Sequence, residues 1–286
     1  MKKIKYLVEF LFIKLFFLIF KIIGYKNASG LGAKIGSFLF PLFRSKKITK
    51  NNIKNSFPDI SDKDTNELIK KMWKNYGRIF SDYVYIDQFR SKKLEKYIVV
   101  NGIEILEKIK NEGKPVVFIS GHFNNFELMA MKIELSGIEL SAVYRPLNNI
   151  FLNRTMENLR KNYICKNQIK KGLGGLKKLM VLKKKNYSTA LMIDQRVSQG
   201  ILSDFFGQKA LTTTIPAQLV KKFKTPIVPI YIERIKNLKF KITINQPIIF
   251  AETDTVQNIT DKLNKILEKM ILNKPEHWIW THNRWK

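Results

Sequence analysis

The stretch Pro115-Val-Val-Phe-Ile-Ser-Gly-His-Phe-Asn-Asn-Phe-Glu127 decides how this chain is read. Its apolar run has the length of a buried strand and stops at Ser120. Gly121 permits a tight turn, and a helical pattern begins a few residues later. In open α/β sheets, ligands bind beyond the carboxyl ends of the strands, which is where this turn falls. His122 and Glu127 are five residues apart, about 140° around an ideal helix, so they would not touch if both were helical. With His122 on the turn and Glu127 in the first turn of the helix, the carboxylate can reach the imidazole. A carboxylate accepting from one ring nitrogen fixes the tautomer and leaves the other nitrogen free as a base. The arrangement is two-thirds of a triad whose missing hydroxyl would belong to the substrate. The spacing alone fits a helix-capping histidine and a surface glutamate better.

Outward from this stretch, β-type runs alternate with helical patterns. The strand candidates are Ile98–Val100, Pro115–Ser120, Leu140–Tyr144, Ser188–Ile193, Pro226–Ile232 and Lys239–Ile244. Between and after them lie helical patterns over Ile103–Glu112, Phe126–Leu135, Phe151–Tyr163, Leu173–Lys184, Ile215–Phe223 and Val256–Leu272. Such alternation predicts an α/β fold, a mixed sheet flanked by helices, over residues 96–286. Residues 24–95 read as a basic helical region. Within it Ser61 caps a helix whose first turn carries Asp62 and Asp64 and whose periodic residues include Leu68, Met72, Tyr76, Ile79 and Tyr83. Residues 1–23 read as a membrane-anchoring helix, apolar from Tyr6 to Ile23 except for Glu9, Lys14 and Lys21. A lysine near the centre of a spanning helix costs about 2.5–3.5 kcal/mol. Lys14 and Lys21 share a face, which suits a short tilted span with snorkelling lysines or a helix lying in the interface.

The formal net charge of +29, from 52 basic and 23 acidic residues, favours polyanionic partners: anionic lipid, an acidic carrier protein or nucleic acid. No helix-turn-helix or RNA-binding aromatic signature accompanies it, so a membrane-tethered nucleic-acid binder is the weaker reading and no nucleic acid is expected. A single cysteine, Cys165, excludes an internal disulfide. The three histidines, His122, His277 and His282, form no Cys/His cluster with zinc-ligand spacing, so no metal is expected.

The box around His122 resembles the H-x4-D/E box of the lysophospholipid acyltransferase superfamily. More narrowly, the chain resembles the late acyltransferases of lipid A biosynthesis, of lauroyl or myristoyl type. The matching blocks run in order through Asn55-Ser-Phe-Pro58, the His122 box, Val143-Tyr-Arg-Pro146 with Asn148 and Asn149, and Asp194-Gln195. They continue through Phe205-Phe-Gly207, Thr212-Thr-Thr214, Val228-Pro229 and the terminal Pro275-Glu-His-Trp-Ile-Trp-Thr-His-Asn-Arg-Trp285. His282-Asn283 departs from the basic pair that is commoner there.

The resemblance implies transfer of a fatty acyl group from an acyl carrier protein or coenzyme A thioester to a hydroxyl of a lipid A precursor, an anionic glycolipid. It places the reaction at the cytoplasmic face of the inner membrane, in contact with membrane lipid and without a cofactor. His122 would be the general base and Glu127 its orienting carboxylate. Arg145, Asn149, Asp194, Gln195 and Thr213 would contribute to substrate binding. Another glycolipid or a lysophospholipid as acceptor would fit the same residues.

Overall fold

The computed structural model describes residues 2–286. Ten helices are present among them: α1 Lys2–Leu39, α2 Lys46–Ser56, α3 Asp62–Asp82, α4 Ile86–Arg90, α5 Ile103–Glu112, α6 Glu127–Leu135, α7 Ile150–Tyr163, α8 Leu173–Lys184, α9 Ile215–Phe223 and α10 Val256–Asn273. The strands are β1 Ile98–Asn101, β2 Val117–Ser120, β3 Leu140–Tyr144, β4 Asn167–Lys170, β5 Ser188–Met192, β6 Ile201–Phe205, β7 Gln208–Thr212, β8 Ile227–Ile235 and β9 Lys239–Ile244.

Seven strands form one sheet in the order β1-β9-β8-β2-β5-β3-β4. Every neighbouring pair is parallel except β8 with β9, so the sheet is mixed, as the alternating pattern predicts. All four residues of β2 are buried, which explains its uninterrupted apolar run before Ser120. β4 and the separate antiparallel hairpin β6–β7 were not anticipated. Asn-Gln-Ile-Lys at the sheet edge carries no apolar run, and the hairpin strands are only partly covered.

The region before the sheet is helical. Gly24, with φ 77°, breaks the helical geometry inside α1. Beyond that break α1 lies against α3 at close range: a Cβ on Gly77 would stand 2.0 Å from the carbonyl oxygen of Gly32. α3 begins as expected, with Ser61 accepting from the Asp64 N–H at 3.0 Å. Its far end is tied to the sheet by a buried ion pair between Asp82 and Arg234 of β8, whose guanidinium also lies 4.3 Å from the Phe240 ring centroid.

The first half of α1 is two-faced. Phe16, Phe17, Phe20 and Ile23 pack on the core. Ile4, Val8, Leu11, Leu15, Leu18 and Ile22 stay exposed, at spacings of three and four residues that align them in one stripe. At and just past the end of α1, Phe38, Leu42 and Phe43 are more than 70% exposed. Among the described residues no helix is long and apolar enough to cross a membrane.

Candidate active site

β2, β5 and β3 are adjacent and parallel, so the residues just beyond their carboxyl ends converge. Ser120 is in register with Met192, and the Ile193 N–H donates to the Ser120 carbonyl at 2.9 Å. Two residues past each partner stand His122 and Asp194, at the same level of the sheet. Their side chains meet: His122 Nδ1 lies 2.7 Å from Asp194 Oδ1. The His122 backbone N–H donates to Asp194 Oδ2 at 2.9 Å, and so does the Trp278 indole N–H at 2.9 Å.

Asp194 is 1% exposed and His122 24%. Burial disfavours the Asp194 carboxylate, but the His122 imidazole, the His122 N–H and the indole outweigh it and hold the acid down at about 2. For His122, burial acts against the charged form. The adjacent Asp194 overcomes that and raises the imidazole above its ordinary value, with Glu127 adding to the effect. Nδ1 is therefore committed to the carboxylate, while Nε2 makes no hydrogen bond among the described residues. The Phe126 ring packs edge-on against the imidazole at 4.8 Å between centroids.

The structure corrects the expectation that Glu127 holds the imidazole. Glu127 does open α6, but it is 5% exposed and its Oε1 accepts from Arg160 Nε at 2.8 Å and Nη2 at 2.6 Å. The Tyr83 hydroxyl, at 3.3 Å, is its third partner. Helix α7 presents Arg160 to that carboxylate, so Glu127 acts on His122 through its charge alone. Tyr76, one heptad before Tyr83 on the same face, donates to the His122 carbonyl at 2.7 Å. The sequence showed these two tyrosines only as part of an apolar stripe.

Arg145 emerges at the carboxyl end of β3, exposed and without a carboxylate partner among the described residues. Burial pushes the His282 imidazole below its ordinary value, and Arg145 is near enough to add to that effect. Asn149 is corrected too. Its Oδ1 caps α7 by accepting from Phe151 and Leu152 N–H at 3.1 and 3.2 Å. Its Nδ2 donates to the Tyr6 carbonyl at 2.8 Å and to Glu9 at 3.1 Å. That carboxamide fastens α1 to α7 and has nothing left for a substrate. Thr213 Oγ1 accepts from the Ile215 N–H at 3.4 Å, a local contact at the start of α9. Gln195 is half-buried next to Asp194. An open groove of about 450 Å³, lined in part by Phe10, Phe151 and Arg154, lies between α1 and α7 and includes none of the residues paired around His122.

The terminal segment closes the site from behind. Phe123 and Trp278 form an antiparallel bridge, and the Asn124 N–H donates to the His277 carbonyl at 3.2 Å. The Arg196 N–H donates to His282 Nε2 at 2.9 Å. The buried Arg284 donates to the Leu211 carbonyl and to Thr212 Oγ1, both at 2.7 Å.

A histidine oriented by a buried carboxylate at strand ends, with its second nitrogen unengaged, defines a base able to take a proton from a hydroxyl. The site thus has the form of a histidine–carboxylate dyad. The chain belongs to the bacterial lipid A biosynthesis acyltransferase family, whose model matches residues 1–286. Among curated relatives, it is 23% identical to the lipid A biosynthesis lauroyltransferase of Escherichia coli over 267 residues, 92% of this chain and 85% of that one. The palmitoleoyltransferase of the same bacterium is 23% identical over 265 residues, 90% and 84% of the two chains. Its myristoyltransferase is 19% identical over 252 residues, 87% and 77%. Family membership makes the protein an acyltransferase of lipid A biosynthesis.

Proposed function

We propose that this protein transfers a fatty acyl group from an acyl carrier protein or coenzyme A thioester to a hydroxyl of a lipid A precursor. His122 Nε2 removes the hydroxyl proton as the oxygen attacks the thioester carbonyl, a step that a positioned base accelerates by about 10²–10⁴-fold. The C–S bond then breaks, and the imidazolium returns the proton to the departing thiolate, releasing the carrier as a free thiol. Asp194 fixes the tautomer and stabilises the imidazolium that forms. The observation that carries this reading is the 2.7 Å contact between His122 Nδ1 and Asp194 at the ends of adjacent strands, which leaves Nε2 unengaged. Arg145 lies beyond the next strand, where its unpaired guanidinium suits an acceptor phosphate. Glu127 and Arg160 form a fixed ion pair beside the base.

The reaction takes place at the cytoplasmic face of the inner membrane, with α1 in the interface. Its exposed apolar stripe and the neighbouring Phe38, Leu42 and Phe43 support this placement, as do the exposed Lys14 and Lys21 that would meet anionic headgroups. The test is lipid mass spectrometry of a host lacking its own late acyltransferase. Introducing this gene should add the mass of one acyl chain to the lipid A precursor. An unchanged precursor beside newly acylated lysophospholipid would reassign the acceptor.

A further inference from the structure

We propose that Trp278 is a positioning residue for the catalytic pair, its indole N–H locking the rotation of the Asp194 carboxylate. The proposal rests on the reading of His122 as base and Asp194 as its partner. An aspartate χ2 is a broad torsion without sharp wells, so a carboxylate needs contacts on both oxygens to hold one orientation. Asp194 Oδ1 is taken by His122 Nδ1. Oδ2 is fixed by two donors converging from different segments, the His122 N–H and the Trp278 indole, each at 2.9 Å. Removing the indole donor leaves Oδ2 with the His122 N–H alone, which moves together with the base that the carboxylate is meant to orient.

The indole is itself rigidly placed. Trp278 is 1% exposed and bridges to Phe123 in the turn next to His122. Its ring meets Trp280 edge-on at 4.7 Å and Phe205 at 6.0 Å. Asn52 of α2 donates to the Trp280 carbonyl at 2.7 Å. The site therefore depends on a tryptophan 156 residues downstream of the base, in the segment that ends the chain.

The experiment uses the full chain in detergent or vesicles, with a labelled acyl thioester and a lipid A-type acceptor. Two replacements are compared at position 278: Trp278→Phe, and benzothienylalanine introduced by codon suppression, which keeps the bicyclic shape but has no N–H. A hydrogen bond to a charged acceptor is worth enough that kcat should fall by about tenfold to a hundredfold, with KM within about twofold of wild type. With the indole gone, the carboxylate favours the imidazolium more strongly. The acid limb of the kcat profile should then move to higher pH. The other groups bearing on that limb, Glu127, Arg160, Tyr76, Tyr83, His282 and Arg284, are unchanged in both variants. In an Asp194→Asn background the replacement should cost far less, because the group it acts through is gone.

Normal kcat and an unmoved acid limb in the benzothienylalanine protein would overturn the proposal. So would an equal loss in both backgrounds, which would make Trp278 merely structural. Should Trp278→Phe fail to fold, the isosteric analogue decides. Full activity of Asp194→Asn alone would instead refute the underlying reading of the His122 pair.

Discussion

His122 has two carboxylates within reach of its charge, and they do different work. Asp194 touches Nδ1, whereas Glu127 is held by Arg160 and Tyr83. Asp194→Asn should therefore lower kcat by about 10²–10⁴-fold, since an amide can neither stabilise the imidazolium nor fix the tautomer in the same way. Glu127→Gln should act first on stability, because it leaves the largely covered Arg160 guanidinium, 13% exposed, without its counter-charge at a cost of up to about 3–5 kcal/mol. The pH dependence separates the two further. The base works only when neutral, and Asp194 raises the imidazole above its ordinary 6.5, so activity should fall as pH drops through a limb above that value. Glu127→Gln removes a lesser source of the same bias and should move the limb to lower pH. Measuring kcat against pH alongside thermal denaturation checks both. A larger loss of kcat from Glu127→Gln than from Asp194→Asn, with normal melting, would return the orienting role to Glu127. The sequence pointed to His122 because a strand, a glycine and a histidine are contiguous. It offered Asp194 only as a substrate-binding residue, because that side chain lies 72 residues away and reaches His122 only through the β2–β5 register. Asn149 misled for a related reason: an asparagine before a helix reads equally as ligand or cap, and α1 arriving at Tyr6 and Glu9 settles which.

At the scale of elements, periodicity located the helices and strands that are strongly apolar. It missed β4, whose pairing with β3 supplies what its polar residues lack, and the β6–β7 hairpin. The closeness of α1 to α3 was also invisible, because it follows from what three glycines omit. Gly32, Gly36 and Gly77 let the two backbones touch. Gly77→Ala should destabilise by about 1–3 kcal/mol, since the new methyl meets backbone at Gly32 rather than a side chain able to move aside. Gly30→Ala is the control within α1: nothing lies within 4 Å of the added carbon, and a helical glycine costs about 0.5–1 kcal/mol relative to alanine. A thermal melt lowered by several degrees in the first variant and unchanged or raised in the second is expected. Equal effects would show that the helices can separate freely.

Over the whole molecule, the +29 charge and the exposed stripe of α1 would act together on an anionic surface under the proposed placement. Leu11→Glu with Leu18→Glu should weaken binding to phosphatidylglycerol-containing vesicles at least tenfold, since each buried leucine contributes about 1.5–3 kcal/mol. The melting temperature should hold, because both side chains are more than half exposed. Cosedimentation measures the loss, and undiminished binding would move the contact elsewhere. If His122 drives acyl transfer from a thioester to a lipid A precursor, its loss must stop the reaction. The measurement is the rate at which labelled acyl groups appear on the purified acceptor with wild-type protein and with His122→Ala. Clear transfer by the wild type is expected, with less than a few per cent of that rate in the variant at equal folding and vesicle binding. Transfer by His122→Ala at a rate close to that of wild type would contradict it.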